Sequence, residues 1–222
     1  MILGNNLEEI GEIPFACSIT SIHIPANVTK VGTAAFGYCP YLKSITVAEE
    51  NTKFKSIDGV LYEIGERVWI TGTGYIDGYW LNVCPPGKGS FCFTDKIYLT
   101  AIGSRAFSDC KFLTDIVIPE TVTSLSTAVF ARCTALRSVT IPASVVYFNH
   151  GTNFWYTNPA MEELHLKHET PPSWYFQTSS DNLNGYLPTT CKLYVPYTEG
   201  WRYSSTNKNN WNKYFSIQYI YE

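Results

Sequence analysis

The chain has 222 residues and a mass of 25.0 kDa, enough to bury a substantial core without metal or disulfide staples. A formal charge of −3, from 16 Lys and Arg against 19 Asp and Glu, argues against a phosphate-tracking surface as the main business of the chain, so nucleic acid is not expected as a partner. Charged residues reach only 16% and aromatics 15%, so the polar surface must be built largely from Ser, Thr, Asn and Tyr, and no apolar run is long enough to cross a bilayer.

The opening residues MILGNNLEEIGEIPF have neither the basic start nor the continuous apolar segment of a signal peptide. A repeat-like pattern begins at once, with Ile10, Gly11, Phe15, Cys17, Ile19, Ile22 and Ile24, and returns as Val31, Gly32, Phe36, Cys39, Leu42, Ile45 and Val47. Ile22 and Ile45 are 23 residues apart but Phe15 and Phe36 only 21, so the first copy is shortened near its cysteine. Either that copy serves as a cap or the chain is the C-terminal portion of a longer protein.

The pattern is interrupted over 51–92 and resumes in its clearest form in the segments 101–122 and 124–145, again 23 residues apart. There Phe107 matches Phe130, Cys110 matches Cys133, Leu113 matches Leu136, Ile116 matches Val139, Ile118 matches Ile141 and Pro119 matches Pro142. Weaker copies place strands at Leu164 and Leu166 and at Leu193 and Val195, the latter followed by Pro196, so the repeat array is expected to occupy the whole of 1–222.

Each unit explains itself physically. The alternation of β-branched and polar residues in "xIxI" predicts a short strand with one buried face, ended by a proline that cannot donate to a ladder. In "IGxxAF" the glycine is expected to supply a positive φ at the turn, with Phe and Cys pointing into the core. One unit cannot bury its apolar side; stacked units can, through ladders of Ile, Leu, Phe and Cys.

The "AFxxCxxLxxIxIP" core at this spacing resembles the leucine-rich repeats of BspA-like bacterial surface proteins. The resemblance implies a leucine-rich repeat solenoid with short parallel strands on the concave face and turns, irregular or short helical segments on the convex face. It also implies a hairpin-like insertion at 51–92, which runs from NTKFKSIDGVLYE to VCPPGKGSF, and a last strand with a C-terminal capping segment at 191–222. An extracellular or cell-surface bacterial location and a role in adhesion or protein recognition follow as expectations. Trp69, Tyr75, Tyr79 and Trp80 would form the hairpin's own aromatic cluster.

On a strand the residue between two buried positions faces out. This selects His23, Thr46, Val117, Thr140, His165 and Tyr194 as a candidate concave binding row, beside Ser21, Ser44, Asp115, Ser138, Glu163 and Lys192. Such a ladder either presents a shallow surface to a ligand or serves β-propensity and solubility. A second candidate is the pair of aromatic segments NFWYTNP and PPSWYF, carrying Trp155, Tyr156, Trp174 and Tyr175, which either bind or cover the last coils.

Of seven cysteines, Cys17, Cys39, Cys110 and Cys133 share one repeat position and are expected as buried stacked thiols. Cys84 and Cys92 bracket a short segment and leave both a small disulfide loop and separate thiols open. Reactive chemistry is not indicated: GKGS at Gly87 lacks phosphate-loop spacing, and His165 is expected in a strand, so that His168 faces oppositely or sits beyond it, with no long helix to gather them. No nucleophile elbow occurs, and NVT at Asn27 is part of a turn. The chain is therefore expected not to be an enzyme and to need no catalytic residue, metal or cofactor. The expected role is a monomeric recognition module for an extracellular protein or polysaccharide, with a glycan-binding module or a structural stalk as the alternatives.

Overall fold

The computed structural model describes residues 3–12, 18–148, 157–169, 188, 190–196 and 216–220, with Phe148 and 216–220 described through their backbone. Strands form where apolar and polar residues alternate. The first two coils carry β1 (Glu9–Ile10), β2 (Ser21–Ile24), β3 (Lys30–Val31) and β4 (Ser44–Val47). The interruption folds into β5 (Phe54–Ile57), β6 (Val60–Ile70) and β7 (Gly74–Val83), paired antiparallel. Two strands per coil then resume with β8 (Tyr98–Ile102), β9 (Asp115–Val117), β10 (Ser124–Leu125), β11 (Ser138–Ile141), β12 (Tyr147–Phe148) and β13 (Glu163–Leu166). β14 (Lys192–Pro196) and a further strand inside the expected cap, β15 (Ser216–Ile220), complete the array.

The strands pair with their apolar positions in register: Ile22 lies opposite Ile45 and Ile116 opposite Val139 at the 23-residue period, and Val139 opposite Leu164 and Leu164 opposite Leu193 across longer coils. All these pairings are parallel, and backbone bonds lock each coil to the next, as from Thr123 to Thr100 and from Ser126 to Ile102. The expected face is nevertheless two sheets, β2-β4 and β15-β14-β13-β11-β9. What separates them is the insertion: the amide of Ile45 donates not to another solenoid strand but to Gly59, in the β5–β6 turn, at 2.9 Å.

A second long sheet, in the order β12-β10-β8-β7-β6-β5, joins the short "AI", "SL" and "YF" strands to the hairpin. The base of that hairpin is a partition. Phe54, Leu61 and Val83 belong to one apolar cluster with Ile22, Phe36 and Ile45, whereas Val60, Tyr62 and Leu81 belong to another with Phe107, Phe130 and Val139. Phe36, Phe107 and Phe130 are all fully buried, but Phe36 lies in the first cluster and so does not extend the line of the other two.

One expectation about the turns is corrected. Gly32 and Gly103 do not adopt positive φ; a Cβ on Gly32 would come within 2.6 Å of the Gly11 carbonyl carbon and one on Gly103 within 3.0 Å of the Leu81 oxygen. Glycine is there so that stacked backbones can touch. Left-handed residues in these turns include instead Ala34, Arg105 and Ala128, at φ of 56°, 57° and 55°. A left-handed residue interrupts a right-handed helix at its first turn, and no helix occurs among the described residues.

The insertion rebuilds a missing coil. Cys84 N–H donates to Ala106 as Phe107 N–H donates to Val129, and the Cys110 thiol donates to the Cys84 carbonyl as the Cys133 thiol donates to that of Phe107. Cys84 thus stands at the backbone position of a ladder phenylalanine. Space for a larger ring is filled from elsewhere: Phe91 and Phe93 both pack edge-on against Phe107, with centroids 4.8 and 6.3 Å away. Cys84 and Cys92 therefore do not close a loop, since Cys84 is a buried thiol in this coil and Cys92 an exposed one.

Candidate functional site

Of the six residues in the candidate row, His23 and Thr46 are brought together on the small sheet, with His23 Nδ1 3.0 Å from Thr46 Oγ1. Val117, Thr140, His165 and Tyr194 lie in one register across β9, β11, β13 and β14. The row is therefore a pair and a quartet on different sheets. Val117 is 66% exposed, an apolar side chain held out on the edge strand.

His165 and Tyr194 form the most organised part. Cross-strand neighbours stand close enough for ring contact, and these two stack with centroids 4.4 Å apart and planes within 5°. Glu163 ties both down: His165 Nε2 lies 3.1 Å from Glu163 Oε2, and the Tyr194 hydroxyl donates to Glu163 Oε1 at 3.2 Å. The His165 bond, followed by the Tyr194 hydroxyl, holds the Glu163 carboxyl below the usual carboxylate range against partial burial. Burial and the neighbouring carboxylate push the Tyr194 phenol up. All three groups are thereby tied to one another.

His168 is not a partner of His165, because its Nε2 donates to the Val145 carbonyl at 2.8 Å. Among the described residues no group of three or more His, Cys, Asp or Glu is arranged to hold a metal ion. Trp155, Tyr156, Trp174 and Tyr175 lie outside the described residues.

The expected aromatic cluster of the hairpin is divided. Tyr79 is buried in the solenoid and Trp80 lies across Gly65, whose Cβ would sit 2.9 Å from the indole nitrogen. Trp69 and Tyr75 form an exposed edge-to-face pair at 5.1 Å, with the Arg67 guanidinium 5.6 Å from the centre of the Tyr75 ring. Beside this tip an open groove of about 390 Å³ runs between Ile76–Tyr79 of β7 and Asp95–Tyr98. The sequence carried no signal for that groove, since it depends on β7 extending past the start of β8.

Elsewhere, Arg132 donates through Nε to Asp109 at 2.9 Å and also pairs through Nη2 with the second carboxylate oxygen. Its Nη1 donates to the Tyr38 hydroxyl at 3.2 Å, and the guanidinium lies 4.7 Å from the centre of that ring. This contact joins the two sides of the partition and has no counterpart in the repeat pattern.

Short coils joined by parallel strands and stacked on ladders of Leu, Ile, Phe and Cys define a leucine-rich repeat solenoid. Residues 1–58 and 90–184 match the BspA type leucine-rich repeat region, in 6 copies, and the chain belongs to that family. Among solved structures it is similar to a leucine-rich cell surface protein of Faecalibacterium prausnitzii, at 21% identity and a TM-score of 0.54, covering 99% of this chain and 53% of that one. It is also similar to the pneumococcal vaccine antigen PcpA, at 18% identity and a TM-score of 0.53, covering 100% of this chain and 67% of that one. A leucine-rich repeat protein of Eubacterium ventriosum matches at 19% identity and a TM-score of 0.55, over 88% of this chain and 53% of that one. The chain thus spans about half the length of two of these structures, and at such identities the likeness concerns the fold. No curated protein matches the sequence.

Proposed function

We propose that the chain is a recognition module displayed on a bacterial surface, binding a protein partner across the outward row of the five-stranded sheet. The observation that carries this reading is the quartet Val117, Thr140, His165 and Tyr194, in which an apolar residue 66% exposed is continuous with a fixed ring pair. Side chains ordered before binding lose little entropy on binding, which favours such a surface as a contact. Family membership and the naming of one structural relative as a cell surface protein support the location. The module has no catalytic role in this reading, because its ionisable groups bind one another rather than converge on a pocket.

A second reading places a glycan at the hairpin tip, favoured by the exposed Trp69 and Tyr75 beside an open groove. It does not favour the sheet, where His165 and Tyr194 each give a ring face to the other. The deciding experiment is a binding screen of the purified chain against matrix proteins and polysaccharides. It compares a Val117→Ser, Thr140→Ala, His165→Ala variant with a Trp69→Ala, Tyr75→Ala variant. Loss of a protein hit in the sheet variant alone is expected. Loss of a polysaccharide hit in the tip variant alone supports the second reading, and the absence of any hit favours a stalk.

A further inference from the structure

β6 and β7 run on past the strands that flank them: β5 pairs with β6 only as far as Glu63, and β8 joins β7 at Gly78, opposite Tyr98. Parallel register continued backwards from that pair would set Ile76 and Asp77 beside Lys96 and Ile97. The chain instead bends at 95–97, and among the described residues no backbone hydrogen bond crosses from 74–77 to 95–97. The groove of about 390 Å³ lies in the gap. From Gly74 to Asp77 the side of β7 away from β6 is thus a free sheet edge, about 13 Å long at roughly 3.3 Å per residue. Such an edge presents unpaired N–H and C=O groups in the spacing that another strand needs.

The side chains select what can lie there. Ile76 and Ile97, both half-buried, flank the groove with apolar surface, and Asp77 and Asp95 outnumber Lys96. Lys96 Nζ lies 4.0 Å from Asp58 and Arg67 Nε 3.9 Å from Asp77, whereas Asp95 has no ion pair among the described residues. The groove therefore complements an apolar side chain, a cation and a run of backbone amides together. An extended basic peptide supplies all three. A neutral glycan supplies neither cation nor amide ladder, and the rings it would stack on, Trp69 and Tyr75, stand on the tip outside the groove.

We propose that this groove takes an extended, basic segment of a partner protein, which adds as a strand to the free edge of β7. Main-chain bonds to 74–77 supply affinity, while Ile76, Ile97 and Asp95 decide which side chains are accepted. The site is on the hairpin sheet and is separate from the outward row of the five-stranded sheet.

The test pans a displayed library of short linear peptides against the full chain and synthesises the enriched sequences. These are expected to be rich in β-branched residues and to carry Lys or Arg, and their binding should slow hydrogen exchange at the amides of 74–77. Asp95→Lys, at an exposed position, should weaken binding by about tenfold, and exchanging the peptide's basic residue for Glu should recover much of that loss in the variant. Methylation of the peptide's own amides should abolish binding, because it removes the ladder. The Val117→Ser, Thr140→Ala, His165→Ala variant should bind the same peptides as the unaltered chain does. No enrichment overturns the proposal, as do peptides that are indifferent to Asp95→Lys or leave 74–77 unprotected. A polysaccharide that protects 74–77 where no peptide does, or self-association of the chain through these residues, overturns it in favour of that other occupant.

Discussion

The rings of Phe107 and Phe130 stack with centroids 5.5 Å apart and planes 23° from parallel, one coil above the other. Phe107 also receives Phe91 edge-on, so it couples the regular repeat to the insertion. Phe107→Ala should therefore cost about 3–5 kcal/mol, from lost burial and the cavity left behind. Urea unfolding measures it, and Thr140→Ala, on the outward row, should change stability by less than about 1 kcal/mol in the same assay.

Close backbone approach predicts the behaviour of glycine. A Cβ on Gly87 would meet the Tyr41 carbonyl carbon at 2.6 Å, whereas one on Gly4 meets nothing within 4 Å. Neither has a positive φ. Gly87→Ala should lose about 1–3 kcal/mol through forced separation of the coils, and Gly4→Ala should stay within about 0.5 kcal/mol. Equal effects at both positions would mean that the coils are not in contact at Gly87.

Most of the strand pattern was legible because it depends on nearest neighbours: Ile116, Val139, Leu164 and Leu193 alternate with polar residues and meet in register. What was hidden depends on geometry between coils. The strands Ser124–Leu125 and Tyr147–Phe148 are two residues long and show no period of their own. The role of Gly32 is set by Gly11 of the preceding coil, and the ladder position of Cys84 only by the Ala106 carbonyl. For the candidate row, alternation selected the outward residues but gave no hint that the insertion would divide His23 and Thr46 from the rest. Nor did it show that Glu163, in the neighbouring row, would organise His165 and Tyr194.

Arg132 tests the contact across the partition. Arg132→Ala removes the bonds to Tyr38 and leaves the half-buried Asp109 carboxylate without its guanidinium. A loss of about 1–3 kcal/mol is expected. Tyr38→Phe, which keeps the ring beneath the cation and removes only the hydroxyl, should lose less. A larger loss in Tyr38→Phe than in Arg132→Ala would contradict the assignment.

His168 predicts a dependence on acidity. Burial pushes its imidazole below the ordinary value, only partly offset by the Val145 carbonyl. The folded state thus prefers the neutral ring. The stability it contributes is complete above about pH 6.5, the ordinary imidazole value, and is lost as the pH falls towards the lower folded value. His168→Gln should flatten the stability curve in that window. Glu163, also held low, acts in a separate window below about pH 4.3, so its loss leaves the His168 slope intact.

The hairpin tip should be energetically separable from the solenoid. Trp69 and Tyr75 are 61% and 60% exposed and pack chiefly on each other and Arg67. Replacing both with alanine should change stability by less than about 1 kcal/mol, as read from the same unfolding curves. A larger loss would place the tip within the cooperative core.

Backbone bonds between coils join residues little more than one repeat apart, as from Arg105 to Thr127 or Val146 to Thr123. The loop closed by each such bond is therefore short however many coils the array contains, and loop closure is what slows the formation of non-local contacts. Exceptions among the described residues are the Gly87 N–H bond to Leu42 and, spanning 94 residues, the Arg132–Tyr38 contact. The latter can form only after the hairpin has been seated between the coils it joins. Coils 98–148 are thus placed to zip together early and quickly, while attachment of the first two coils waits for the insertion. The slowest step in assembling the molecule is then set by its least repetitive segment.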